Sequence, residues 1–314
     1  MRRVFLPLVL LCLLSSCKDN FHLEDNGNVP KIVAYCFPSR TDTTFIDVSA
    51  SSPIKANGNS NNIHPIDDAN IIYKINDVPQ KVSFRGKGTY YVVGASHAGD
   101  RISMEISAEG FAPVSAQTTM PEGTPISIDK VLDIKKYDSD YEDVRYFTQL
   151  QASFTDNATT KDFYALIVTN SSYYQSSYED TILTVKESTV VELDISDEPV
   201  LHPLQDIDND FGFSRNFINN LYYFNDALFN GKTYTLHLNI PKFSYYGDMQ
   251  VILYKISPEF YRFLKSINDM NNNDLAQKGF SQIMPTISNI KGGIGILAGC
   301  NESRSNIIKK ESTK

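Results

Sequence analysis

The sequence predicts a mainly β protein: an N-terminal immunoglobulin-like β-sandwich followed by a second β-rich domain with one or two short helices. Three observations carry this. From Lys31 to Met120, short runs rich in β-branched and aromatic residues alternate with turn signals. Longer runs of the same kind return beyond Pro121 and Pro125. A single segment after Ser257 switches to helical spacing.

In chain order, the first segment reads MRRVFLPLVLLCLLSSC. Arg2 and Arg3 give a positive start, Val4 to Leu14 a short apolar run, and Ser15 and Ser16 small residues before Cys17. That order predicts a secretory signal peptide over 1–16, too short in its apolar part to span a bilayer. Leu14-Ser15-Ser16-Cys17 resembles a bacterial lipobox, which implies acylation of the Cys17 thiol and cleavage before it. Several acyl chains on one residue exceed the single chain that binds only reversibly, so the membrane is the first expected partner. Residues 17–30 are polar and read as a lipidated tether.

Residues 31–121 hold seven strand-like runs: KIVAYCF, TFIDVSA, ANIIYKI, KVSF, TYYVV, RISMEISA and VSAQTTM. Asn76-Asp77, Gly86-Lys87-Gly88, Gly99-Asp100 and Glu109-Gly110 separate them as turns. Seven short strands at this spacing suggest the immunoglobulin-like sandwich. Residues 122–314 form the second domain, with strands expected at ISIDKVLDIKKY, YFTQLQASF, DFYALIVTN, TYTLHLNIP and MQVILYKIS. Its helix is marked by Ser257 as cap, Pro258 at the first position and Glu259 at the positive end. Phe260, Phe263, Leu264 and Ile267 then form one apolar stripe, expected to pack on a sheet.

Composition narrows the partners. Loss of Arg2 and Arg3 takes the basic count from 29 to 27 against 37 acids, a net charge of −10. Such an acidic body argues against nucleic acid and against docking on anionic lipid. With Cys12 removed and Cys17 acylated, Cys36 and Cys300 are left, and their spacing does not decide whether they pair.

No catalytic motif emerges. The histidines His22, His64, His97, His202 and His237 make no paired metal pattern. Gly231-Lys232-Thr233 lacks the upstream glycine of a phosphate loop, where Asp226 stands. Ser52/Lys55 and Ser127/Lys130 have serine–lysine spacing without the companion motifs of acyl enzymes. Asp206, Asp208 and Asp210 form a candidate calcium site, because alternating carboxylates can converge on a hard cation. A solvated acidic loop is the competing reading, and otherwise no cofactor is expected. Two tyrosine-rich stretches are candidate interfaces: Tyr173, Tyr174 and Tyr178, and Tyr222 with Tyr223. Tyrosine among Ser and Asn offers broad apolar contact with adaptable hydrogen bonds. The second stretch reads equally well as core filling.

Several segments, taken in order, resemble one family. They are GDRISMEISAEGFAPVSAQTTMP, DFYALIV, YYFNDALFNGKTYTLHLNIP, YKISPEFYRFLKSI and MPTISNIKGGIGILAG. The family is the Bacteroidota outer-membrane lipoproteins catalogued as domain of unknown function four-two-four-nine. Its most specific pieces here are Phe224-Asn225-Asp226 leading to Gly231, and Ser288-Asn289-Ile290 followed by Gly292, Gly293 and Gly295. The resemblance implies an outer-membrane lipoprotein, often encoded near TonB-dependent transporters, and brings no catalytic residues. Lys18-Asp19 after the cysteine is similar to the surface-export signal of such lipoproteins. The expected function is a surface-exposed binding or accessory component of a TonB-dependent nutrient uptake system. An extracytoplasmic hydrolase and an adhesin or envelope scaffold stand as alternatives. Without the family, Asn230-Gly231 reads as a hairpin-type turn and the 292–295 glycines as a close backbone approach beside a late strand.

Overall fold

Alternate burial along the first strand, β1 (Ile32–Cys36), turns Ile32, Ala34 and Cys36 inward and leaves Tyr35 at the surface. This pattern repeats in four later N-terminal strands, at 43–50, 89–93, 101–107 and 114–119, and fixes which face of each builds the core. The computed structural model describes residues 29–38, 40, 42–52, 63–138, 142–178, 181–201, 217–242, 247–272 and 286–309. The strands that follow β1 are β2 (Thr43–Ala50), the two-residue β3 (His64–Pro65), β4 (Asn70–Ile75), β5 (Val78–Gln80) and β6 (Val82–Gly86). Next come β7 (Thr89–Val93), β8 (Arg101–Ser107) and β9 (Val114–Thr119).

One sheet runs β1-β2-β7-β6 and the facing sheet β5-β4-β8-β9. This is the strand order of an immunoglobulin-like sandwich, with β5 as the extra edge strand. Ile32 and Ile46 from one sheet share a core with Tyr73, Ile102, Met104 and Ile106 from the other. The seven expected strands are all present; β5 is added by the Asn76-Asp77 turn. Those two residues take φ of 50° and 65°, the left-handed pair that a tight two-residue hairpin requires.

The remainder is built from two further sheets. Strands β10 (Ile126–Asp138), β11 (Asp143–Thr155) and β15 (Thr233–Pro241) form one, in the order β10-β11-β15. The other contains β12 (Phe163–Tyr178), β13 (Thr181–Val190), β14 (Tyr222–Asn225), β16 (Asp248–Ile256) and β18 (Cys300–Arg304). Its order is β13-β12-β16-β18, with β14 also paired to β12. Leu150, Phe154 and Leu236 of the first sheet meet Tyr164, Leu166 and Leu253 of the second in one core.

The helix α1 spans Pro258–Asn271, with the Ser257 hydroxyl accepting from the Phe260 N–H at 3.4 Å. Pro258 opens it, as the sequence indicates. Its apolar stripe packs inward: Phe263 is buried against Ile296 and Ala298, and the Phe260 ring lies 5.1 Å from Phe37. Among the described residues this is the one α-helix; three 3₁₀ turns, at Pro199–Leu201, Ile218–Asn220 and Asp226–Leu228, complete the helical content.

One strand joins the far end of the chain to its beginning. β17 (Ile294–Leu297) pairs in parallel with β1, Val33 opposite Ile294 through Cys36 opposite Leu297. Gly295 makes this possible: its φ is +111°, and a Cβ there would lie 2.0 Å from the Ala34 carbonyl oxygen. Asn289 fixes the strand from its other side, accepting the Leu297 N–H at 2.9 Å and donating to the Leu297 carbonyl at 2.7 Å. A side-chain amide thus stands in for a neighbouring strand. The sequence division at residue 121 does not foresee that the sandwich takes a strand from the chain's far end. Lys31–Lys314 is one compact unit.

The two cysteines among the described residues carry free thiols, Cys36 fully buried in the sandwich core and Cys300 half-buried against the second core. Burial pushes the Cys36 thiol well up and raises Cys300 to about 11, so both stay protonated at neutral pH.

Replacing Gly295 by Ala should lower the unfolding free energy by about 2–3 kcal/mol or more, since a side chain is strained at this φ and collides with Ala34. Urea denaturation measures it; a change below about 0.5 kcal/mol, the size of an ordinary surface substitution, would contradict the close approach.

Candidate functional site

The longest strands run past the sheets that support them. β15 pairs with β11 only from Phe147 to Thr155, so residues 143–146 with 135–138 continue as a two-stranded ribbon. Residues 142–146 are exposed on both faces. Tyr137 is 68 % exposed and sits opposite Val144, while Tyr146 is 56 % exposed. The second ribbon has the same design. β16 follows β12 only to Ser171, whereas β13 pairs with it to Tyr178 opposite Thr181. Tyr173 lies on that outer part, 55 % exposed and opposite Lys186.

A free two-stranded ribbon is marginal in water. Both of these persist because their roots are fixed in the body. For β12 the root is its opening run, where Tyr164, Ala165, Leu166 and Val168 are buried. For the β10–β11 ribbon it is a charge cluster. Lys136 lies 2.5 Å from Asp197 and 3.3 Å from Asp194, donates to the Ser196 hydroxyl at 2.7 Å, and sits over the Phe147 ring. Asn239 continues the network, donating to Asp197 at 2.9 Å and accepting from Gln149 at 2.9 Å. Behind it the buried Glu198 accepts the Tyr234 hydroxyl at 2.6 Å and the His237 N–H at 2.7 Å. The His237 ring nitrogen stands 4.0 Å from the same carboxylate, beyond hydrogen-bond reach. The Tyr234 phenol is driven well above its usual range, first by burial and then by its bond to Glu198. The arrangement is a brace with its donors and acceptors matched.

The two family-specific sequence pieces also prove structural. In Phe224-Asn225-Asp226, Asn225 caps the following 3₁₀ turn by accepting the Ala227 N–H. Asp226 is buried and accepts the Asp162 N–H at 2.6 Å. Gly231 has φ +71° and donates to Asp156, whose carboxylate also accepts the Tyr164 hydroxyl at 2.5 Å. Asp162 in turn pairs with Lys255 at 2.6 Å, both side chains less than a tenth exposed. Burial holds the Asp162 carboxyl above the ordinary carboxylate range, opposed by the Lys255 charge. The Ser288–Gly295 piece is the β17 fixture described above.

The candidate residues separate accordingly. Tyr173 is at the surface on a ribbon. Tyr174 and Tyr178 lie on the same strand, opposite Val185 and Thr181, with side chains outside the described residues. Tyr222 and Tyr223 are 3 % and 5 % exposed and belong to the second core. The Tyr222 hydroxyl accepts the Leu193 N–H at 2.7 Å. They fill the core and present no ring to a partner, which removes them from the interface candidates. Cys17 and Asp206, Asp208 and Asp210 lie outside the described residues. Among the described residues no group of three His, Cys, Asp or Glu is placed to hold a metal ion. No helix among them is long and apolar enough to cross a membrane. Tyr137, Val144 and Tyr146 are surface residues that the sequence reading passed over. Their signal was present: apolar residues on both sides of the polar stretch DSDYED.

A family model described as domain of unknown function DUF4249 matches residues 18–306, and the chain belongs to that family. Comparison with curated proteins and with solved structures gives no match.

Replacing Lys255 by Met should destabilise the fold by about 3–5 kcal/mol at pH 7, because the Asp162 carboxylate stays buried without its partner. An acid whose folded-state pKa lies above its unfolded value binds more protons when folded, so stability rises as pH falls through that raised value. The variant should therefore regain stability between pH 7 and about 5, relative to the parent, in urea melts. A loss independent of pH would contradict the buried pair.

Proposed function

We propose that this member of the family is an outer-membrane, surface-exposed lipoprotein that acts as a binding or accessory component of a TonB-dependent nutrient uptake system. Acyl chains on Cys17 hold it to the membrane, and residues 18–30 tether the body. The ribbons formed by β10–β11 and β12–β13 engage the partner, with Tyr137, Tyr146 and Tyr173 as its contact residues. No reaction and no cofactor is part of this reading.

The observation that carries it is the exposure of Tyr137, Val144 and Tyr146 on a ribbon that runs beyond the last β11–β15 pair. Tyrosine supplies large contact area at low entropy cost and is enriched at binding surfaces. The Lys136 cluster supports the same reading, since a braced ribbon loses less freedom on binding than a loose one. The N-terminal sequence supports the anchor: a charged start, a short apolar run and small residues stand in register before Cys17.

Affinity purification of the native lipoprotein from solubilised outer membrane is expected to recover a transporter with it. Tyr137→Ser combined with Tyr146→Ser should reduce that recovery at least about tenfold, the effect of losing a central aromatic contact. The urea midpoint should stay within about 0.5 kcal/mol of the parent, as for exposed positions. Recovery of the lipoprotein alone, or undiminished recovery with the double variant, would contradict the proposal.

A further inference from the structure

Between α1 and the outer face of the β12–β16 sheet lies a cavity of about 260 Å³. Ala165 and Ile256 form its floor, 1 % and 2 % exposed. Its walls are Phe37, Ile167, Leu221, Tyr254, Phe260 and Cys300, contributed by segments from both ends and the middle of the chain. We propose that this cavity is a binding site for one small, uncharged, aromatic molecule about the size of two fused rings. The site is distinct from the ribbons and does not depend on their role.

The chemistry of the wall selects the ligand class. The lining is apolar throughout, so water in this solvent-open hollow gains no hydrogen bond from its wall. A charged ligand would be desolvated with no counter-charge on the wall to offset it. The Cys300 thiol is raised to about 11 by burial and is neutral at working pH. An uncharged apolar molecule meets none of these penalties. Size comes from volume: a cavity of about 150 Å³ lined by similar side chains accepts a single benzene ring, so 260 Å³ suits about two fused rings.

Aromatic character comes from ring placement. The Phe37 and Phe260 rings are 5.1 Å apart and tilted by 40°, and Tyr254 forms part of the same wall. A flat ring laid against the cavity side of this pair gains the edge-to-face and offset contacts that aromatic pairs prefer, which a branched alkyl group does not.

Naphthalene is the probe, with the chain from Lys18 onward, which keeps the whole compact unit Lys31–Lys314. Calorimetry should show one naphthalene bound per chain, and Ala165→Phe, which fills the floor, should weaken binding at least about tenfold. A second measurement needs no variant. Cys300 lines the cavity while Cys36 is fully buried, so saturating naphthalene should slow alkylation of Cys300 by iodoacetamide at least about fivefold, as access sets thiol reactivity. Absence of binding, equal binding to Ala165→Phe, or Cys300 alkylation unchanged by naphthalene would each overturn the proposal.

Discussion

The parallel pairing of β17 with β1 is the constraint on which the rest of the architecture depends. It draws a short segment near residue 300 across several elements at once. Lys291 exchanges backbone hydrogen bonds with Ser115 of β9, at 2.7 and 3.2 Å. Ala298 donates to the Cys36 carbonyl, and the Gly299 carbonyl accepts from Ser257, the cap of α1. Asn301 reaches the Pro121 carbonyl at 3.0 Å. The sandwich, the connection at residue 121 and the start of the helix are therefore held by one run of backbone. Glycine at 293 and 295 is what lets two main chains come this close: a Cβ at Gly293 would lie 2.6 Å from the Ile32 carbonyl oxygen.

This join has consequences for the apolar surfaces nearby. α1 lies over Ile296 and Ala298 with Phe263, and its Phe260 reaches Phe37 just beyond β1. Its other side meets the second core, where the Tyr261 ring lies tilted against Phe163 at 4.7 Å. The helix covers surface belonging to both parts of the body, and the hollow beside it arises where that cover is incomplete. The ribbons depend on the same rigidity at one remove. Among the described residues their outer ends pair with no third strand, so their position is set by roots buried in the second core and braced by Lys136.

Much of the fold can be read from local patterns. Five of the seven sandwich runs, β1, β2, β7, β8 and β9, alternate in burial as two-period strands do, and the Ser257-Pro258-Glu259 start announces α1. What fails is non-local or lacks a pattern. Glycines 292–295 correctly suggest a close approach, yet nothing in the sequence says that the partner is Ile32–Cys36, some 260 residues earlier. β13 has no such mark, because most of its described residues are exposed and show no alternation. Composition does not separate Tyr173 from Tyr222: both sit in tyrosine-rich stretches, and burial of the second follows from its bond to Leu193 and its place beside β12. Gly231 reads as a turn residue, and it is, but its bond to Asp156 and the bond of Asp226 to the Asp162 backbone are invisible to a linear reading.

The architecture requires β17 to be a permanent part of the sandwich. Native-state hydrogen exchange at the Leu297 and Ala298 amides, bonded to Asn289 and Cys36, tests this most directly. If the join holds the body together, both amides exchange only through global unfolding, with the same free energy and urea dependence as the buried amides of β8. Exchange several kcal/mol more readily than β8, with little urea dependence, would show β17 to be a detachable strand and would contradict the account.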